Sequence, residues 1–344
     1  AGAATLVALS LAAPASAQHA AGLGSVIANR YVLKSYLGKG RYGEVYMAVD
    51  RSLSDPALAQ EYSVALHLLY PHLTQQPHLL QKLETTYHQP HLWSHPNVVK
   101  VRGFGADHGR YFLVTELLAG MSLRSVLDES PEELLSETEV FAVLRGIGDA
   151  LKYAHAKGTI HGDIRPEKVF ITEDYAVKVL DLLPIIPPRT VPFFVEDTAD
   201  GAVATPDQRD DVYGLACITY ELLSGRHPFN GNSPLEALTA GLMLAPIPGI
   251  STARWHAPTR ALALRREHRT AGVAAFLGEL GVTGDENLRV GSRRGDNVQL
   301  GAVPSAQRTT ARNVHPMHVE DDDVPVIHEP TVVRAAPPPP ARPV

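Results

Sequence analysis

Hydrophobic positions fall into short runs in the first third of the chain and into helical spacing further along. Residues 31–37 (YVLKSYL) are rich in aromatic and branched side chains, as are Val45, Tyr46 and Val49, which predicts two strands. Val64, Ala65 and Leu66 form a further apolar strand. Residues 111–118 (YFLVTELL) predict a buried strand running into a connector at Gly120. Residues 136–157 place Val140, Val143, Leu144, Ile147, Leu151 and Ala154 at helical spacing, with a stop at Gly158. A second apolar helix opens at Asp211 and runs through Leu223, and 254–280 reads as the last helical region.

The ends of the chain differ from this middle. Residues 1–17 are apolar and finish in Ala15-Ser16-Ala17, which resembles a signal-peptidase site but lacks a basic start. That run is also too short to span a bilayer. No aromatic residue follows Phe276, and the remainder carries an acidic run at 320–323 and a proline run at 337–340. Such a composition buries too little apolar surface to offset its ordering entropy, so 281–344 is expected to be a disordered Pro-rich tail.

Composition narrows the chemistry. Across 344 residues, 31 Lys and Arg stand against 37 Asp and Glu, a net charge of −6, which argues against a nucleic-acid partner. The single cysteine, Cys217, excludes an internal disulfide and suits a reducing compartment, so a cytoplasmic location is expected.

Between the first two strands lies Gly38-Lys39-Gly40-Arg41-Tyr42-Gly43. In a dinucleotide-binding unit the third glycine would open a helix; here a strand follows. A strand, glycine turn and strand can lie close over a polyphosphate, although an ordinary Gly-rich hairpin has the same pattern. The ordered series that follows is more specific. Ser94-His95-Pro96-Asn97 precedes the buried strand, and His161-Gly162-Asp163-Ile164-Arg165-Pro166-Glu167-Lys168 follows the long helix. Val177-Lys178-Val179-Leu180-Asp181 comes next, then Asp211-Val212-Tyr213-Gly214.

Taken in order, these motifs resemble the bacterial serine/threonine protein kinases over about residues 28–280. The resemblance implies an α+β, bilobal protein-kinase-like fold: a leader at 1–27, a β-rich N lobe at 28–118 and a helical C lobe at 119–280. It implies ATP and magnesium as cofactors and a protein as substrate or partner. By the same resemblance Gly38, Gly40 and Gly43 would cover the phosphates, and Val45 and Ala65 would line the adenine pocket. The backbone of Glu116 and Leu118 would meet the adenine edge. Asp163 would accept the substrate hydroxyl proton, Asp181 would hold magnesium, and Asp211 would anchor the long C-lobe helix. Arg266 and Arg269 would pair internally.

The departures from the family pattern change the picture. His67 follows Val64-Ala65-Leu66 where the family has a lysine on the phosphates, and the carboxylate partner of that lysine would fall near Thr86, with Glu84 close by. Gly162 replaces an arginine that reads a phosphorylated loop. Lys168 replaces a magnesium-binding asparagine, and an ammonium repels that ion. Asp181-Leu182-Leu183 lacks the hinge glycine, and Thr205-Pro206-Asp207 is a remnant of the substrate-docking motif. Lys39 in the glycine turn or Lys168 itself would be the available compensating cations, with a solvent-facing Lys39 and a Lys168 paired to Asp163 or Asp181 as the simpler alternatives. Thr198 and Thr205 are candidate phosphosites.

These features favour an ATP-cleft pseudokinase with a regulatory or scaffolding role and impaired transfer. Because Asp163 and Asp181 survive, an active atypical serine/threonine kinase is the alternative. A third reading is a His-rich metal-binding protein, from His67, His72, His78, His88, His91 and His95, with a weaker case at His315 and His318.

Overall fold

A computed structural model describes residues 22–52, 62–87, 94–129, 135–182 and 206–282. The acidic and proline-rich stretches, most of the leader, His88, His91, Thr198, Thr205, His315 and His318 lie outside these residues.

The N-terminal half is a six-stranded antiparallel sheet in the order β1-β2-β3-β4-β6-β5. Its strands are β1 (Val26–Ile27), β2 (Tyr31–Lys39), β3 (Gly43–Asp50), β4 (Ser63–Leu69), β5 (Val101–Asp107) and β6 (Arg110–Glu116). Val26 pairs with Val32, so residues 26–27, expected in the leader, belong to the sheet instead. A two-residue strand is invisible to periodicity; only pairing reveals it. Two short helices, α1 (Pro71–Thr74) and α2 (Pro77–Tyr87), connect β4 towards β5.

The sheet buries both faces. Leu33, Tyr46, Ala48, Leu66, Phe112 and Val114 fill one side. On the other, Leu69, Leu73, Leu79, Leu83, Val101 and Leu113 pack around Tyr42. Beside them Leu37, Val45 and Ala65 form a small apolar floor with Met47 and Leu117.

The second half is mainly helical. A three-stranded sheet of β7 (Gly120–Ser122), β8 (Val169–Thr172) and β9 (Val177–Val179) flanks α3 (Leu123–Glu129) and α4 (Glu137–Ala156). The α4 helix starts where expected because Ser136 and Glu139 form a reciprocal capping box. Its apolar stripe, Val140 to Ala154, is fully buried.

Helix α5 (Gln208–Ser224) begins three residues before Asp211, correcting the expected start. Asp207 caps it and Asp210 closes the box from the N3 position, a signal weaker in sequence than Ser with Glu. The region 254–280 is not one helical run. It contains α7 (Thr252–Ala261), a 3-10 turn (Arg266–His268) and α8 (Val273–Leu280), after a short α6 (Pro234–Thr239). Among the described residues no helix is long and apolar enough to cross a membrane.

The halves are stitched together by residues 94–99. Val98 bridges Val179 in parallel, and the Asn97 side chain donates to the Val177 carbonyl at 2.9 Å. The motif residues of the two halves also touch directly, Arg41 and Tyr42 of the glycine turn reaching the backbone of His161 and Asp181.

Candidate active site

The glycine turn between β2 and β3 closes on itself: the Gly40 amide donates to the Gly43 carbonyl at 2.8 Å. Gly43 has no room for a side chain, because a Cβ would collide with the Leu68 carbonyl of β4. Lys39, at the end of β2, is exposed.

Two side chains of this turn cross to the other half of the molecule. The Tyr42 hydroxyl donates to the backbone carbonyl of Asp181 at 2.7 Å, and the residue is only 3% exposed. The Arg41 guanidinium donates to the His161 carbonyl at 3.0 Å. Neither residue was singled out from the sequence. The available signal was one aromatic in an otherwise small and charged turn, since a tyrosine there needs a place to be buried.

Below the turn lies a buried ion pair. Lys168 sits on a 3-10 turn (Pro166–Lys168), 2% exposed, and its Nζ donates to Asp181 Oδ2 at 2.7 Å. Of the sequence alternatives for Lys168, the pairing with Asp181 is the arrangement found. Asp181 follows β9 with a left-handed backbone, φ 55°, which aspartate tolerates better than most residues. Burial alone would push its carboxyl up; the charge of the Lys168 ammonium and its hydrogen bond instead hold it at about 2.

His67 on β4 bonds through Nε2 to Thr115 Oγ1 at 3.2 Å. Burial lowers its pKa, Asp181 opposes that, and Lys168 adds to it, so the ring is neutral at pH 7. No carboxylate of α2 replaces the expected partner of a lysine here. Glu84 is exposed, and α2 turns Leu79 and Leu83 inward instead.

The loop carrying Asp163 is held from underneath. Asp211, wholly buried, accepts hydrogen bonds from the His161 amide at 2.9 Å and the Gly162 amide at 2.7 Å. The His155 ring adds a contact at 2.7 Å. Gly162 has φ 70°, a conformation that glycine adopts without strain. The His161 ring accepts from the Asp163 amide at Nδ1 and reaches the Leu180 carbonyl through Nε2, which fixes a neutral tautomer. The Asp163 carboxylate remains partly open, 25% exposed, with Arg165 Nε at 3.6 Å. Arg165 was also missed, although a cation two residues after the expected base was visible in the sequence.

At the far edge, Val45 and Ala65 lie in the apolar floor. The Glu116 carboxylate pairs with Lys178 at 2.8 Å, and its backbone carbonyl accepts from Thr115 at 3.2 Å. Leu118 follows at the crossing between the halves.

Residues 31–183 match the family model for protein tyrosine and serine/threonine kinases. The chain is 32% identical over 281 residues to serine/threonine-protein kinase Pkn1 of Myxococcus xanthus, covering 75% of this chain and 39% of that protein. It is 27% identical over 325 residues to serine/threonine-protein kinase pkn3 of the same organism, covering 84% of this chain and 56% of that protein. The solved kinase domain of Mycobacterium tuberculosis PknI superposes with a TM-score of 0.57 at 21% identity, covering 76% of this chain and 99% of that domain. Residues 31–183 thus form a protein kinase domain, and the chain is similar to the bacterial serine/threonine protein kinases. It spans about two fifths to just over half the length of these two curated relatives.

Proteins of this family bind ATP and magnesium, so the kinase cleft can be tested for its fit to a divalent ion. The fit is poor. One Asp181 oxygen carries the Lys168 ammonium, and the position expected to supply a second ligand is that same lysine. Among the described residues no group of three His, Cys, Asp or Glu is assembled to hold a metal. His95 is engaged otherwise: its Nδ1 accepts from the Asn97 amide at 3.2 Å and its ring lies 4.9 Å from that of Tyr153. Arg266 and Arg269 both pair with buried Asp210, at 3.0 and 3.2 Å, clamping the 3-10 turn and the segment before α8 to the start of α5.

Proposed function

We propose that this chain is a protein-kinase-like regulatory or scaffolding protein with impaired phosphoryl transfer, acting on a protein partner. The observation that carries this reading is the buried Lys168–Asp181 pair. Phosphoryl transfer relies on cations placed to neutralise the moving charge. Here His67 brings no charge where a permanent cation is needed, and Lys168 is already committed to the one carboxylate expected to hold the ion. Loss of one such charge-stabilising group costs about 2.7–4 kcal/mol, so two together remove on the order of 10⁴ or more in rate.

If nucleotide enters, the glycine turn (Gly38, Gly40, Gly43) would cover the phosphates. Val45 and Ala65 would receive the base, His67 and Lys168 would face the phosphates, and the backbone of Glu116 and Leu118 would meet the base edge. Asp163 would be the base of any residual transfer. An active, atypical serine/threonine kinase is the second reading. It is favoured by one observation: the Asp163 loop is fully anchored by Asp211, and its carboxylate is partly open.

The deciding experiment measures transfer of labelled γ-phosphate from ATP to a mixed protein substrate with magnesium, comparing wild type with Asp163→Ala. Indistinguishable signals are expected. A wild-type rate at least tenfold above the variant would establish the active kinase instead.

A further inference from the structure

We propose that the cleft is closed by its own side chains, with Lys168 in the place of the divalent ion and Tyr42 and Arg41 tying the glycine turn down, so that closure requires neither metal nor nucleotide. This inference deepens the impaired-transfer reading of the same site and rests on it.

The geometry forms a continuous chain of contacts from one half to the other. Tyr42 is held to the sheet through its own carbonyl, which accepts from the Tyr70 amide at 2.9 Å. Its ring is packed among Leu69, Leu73, Leu79, Leu83, Val101 and Leu113. Its hydroxyl ends on the Asp181 carbonyl. The Asp181 carboxylate meets Lys168, and the Lys168 carbonyl accepts from the Leu180 amide at 2.8 Å. Arg41 supplies a second strut to the His161 carbonyl, with its guanidinium 5.7 Å from the Tyr42 ring centroid.

Charge explains why this arrangement is self-sufficient. A buried carboxylate must be neutralised, and an ammonium at hydrogen-bond distance does so without any ion from solution. A divalent cation brought to the same oxygens would face that ammonium at short range. The neutral His67 ring adds no competing charge, whereas a lysine at that position would. For a polyphosphate to reach Lys168, the Tyr42 and Arg41 bonds must break and a buried tyrosine must leave an apolar cluster.

The test is a thermal-shift comparison of the full chain in EDTA, in magnesium, in ATP with EDTA and in ATP with magnesium. Bound ATP at about 100 times its dissociation constant would raise the midpoint by on the order of 5–10 °C. For wild type no shift is expected in any condition. A shift of that size with ATP in either buffer overturns the proposal. In Lys168→Asn combined with Tyr42→Ala, ATP with magnesium is expected to raise the midpoint.

Hydrogen exchange of residues 38–45 in wild type keeps the test independent of whether that variant folds. Exchange is expected to be slow without ligand and unchanged by ATP; fast exchange in the absence of ligand overturns closure. The labelled-phosphate assay separates the two failures. ATP binding without transfer sinks the self-closed cleft and spares the impaired-transfer reading, while transfer removes both.

Discussion

Asp211 and Asp181 are both buried in the C-lobe half of the molecule, yet they keep opposite company. Asp211 is held by two successive backbone amides and a contact from the His155 ring. Asp181 is matched by one full cation, Lys168, under a tyrosine that reaches across from the other half. The first arrangement fixes the shape of a loop and needs nothing from solution. The second balances charge at a place where the family leaves room for an ion. Under the proposed function, the chain keeps the anchor beneath the Asp163 loop while it alters the groups that would handle ligand charge.

The largest effect that would break the comparison is expected from Asp211→Ala. Three donors would lose a buried charged acceptor, at about 1.5–3 kcal/mol each, so the loss is on the order of 5 kcal/mol or outright misfolding. Urea denaturation measures it, and a loss below about 1 kcal/mol would mean that the anchor is not structural.

Lys168→Ala comes next, at about 3 kcal/mol near neutral pH, because it strands a buried carboxylate. Its acid dependence sharpens the point. The Asp181 carboxyl titrates at about 2 in the folded protein against an ordinary 3.8. That depression contributes about 2 kcal/mol of stability, fully present above pH 4 and lost as pH falls through 2. Without Lys168, burial pushes the carboxyl up, so this contribution reverses sign. Denaturation midpoints for both proteins between pH 7 and pH 3 should converge; parallel curves would show that Lys168 does not set the charge of Asp181.

Tyr42→Phe is the smallest change, removing one hydrogen bond and leaving the ring in place. A loss of about 1 kcal/mol is expected, together with faster hydrogen exchange in the 38–45 turn. An unchanged exchange rate would mean that apolar packing alone holds the turn.

Much of this was legible along the chain. The capping pair Ser136 and Glu139, the apolar stripe of α4 and the strand pattern around the glycine turn are local signals that act within a few residues. The order of the motifs carried the fold, and the replacements at His67, Gly162 and Lys168 are plain substitutions in known positions. The start of α5 was misplaced because Asp207 and Asp210 cap it in a form less distinctive than the usual pair. The first strand was missed because two residues have no period.

The sequence by itself determined which charges this chain carries near its cleft and which it lacks, since residue identity settles whether a side chain is a permanent cation. Tertiary structure alone decided where those charges go. Lys168 and Asp181 are thirteen positions apart. Tyr42 and Asp181 are separated by 139. No local rule links such residues; they meet because two packed halves bring a turn of one sheet over the loop of the other. Burial then makes the choice of partner strict, because a carboxylate removed from water must be satisfied by whatever the fold places within reach.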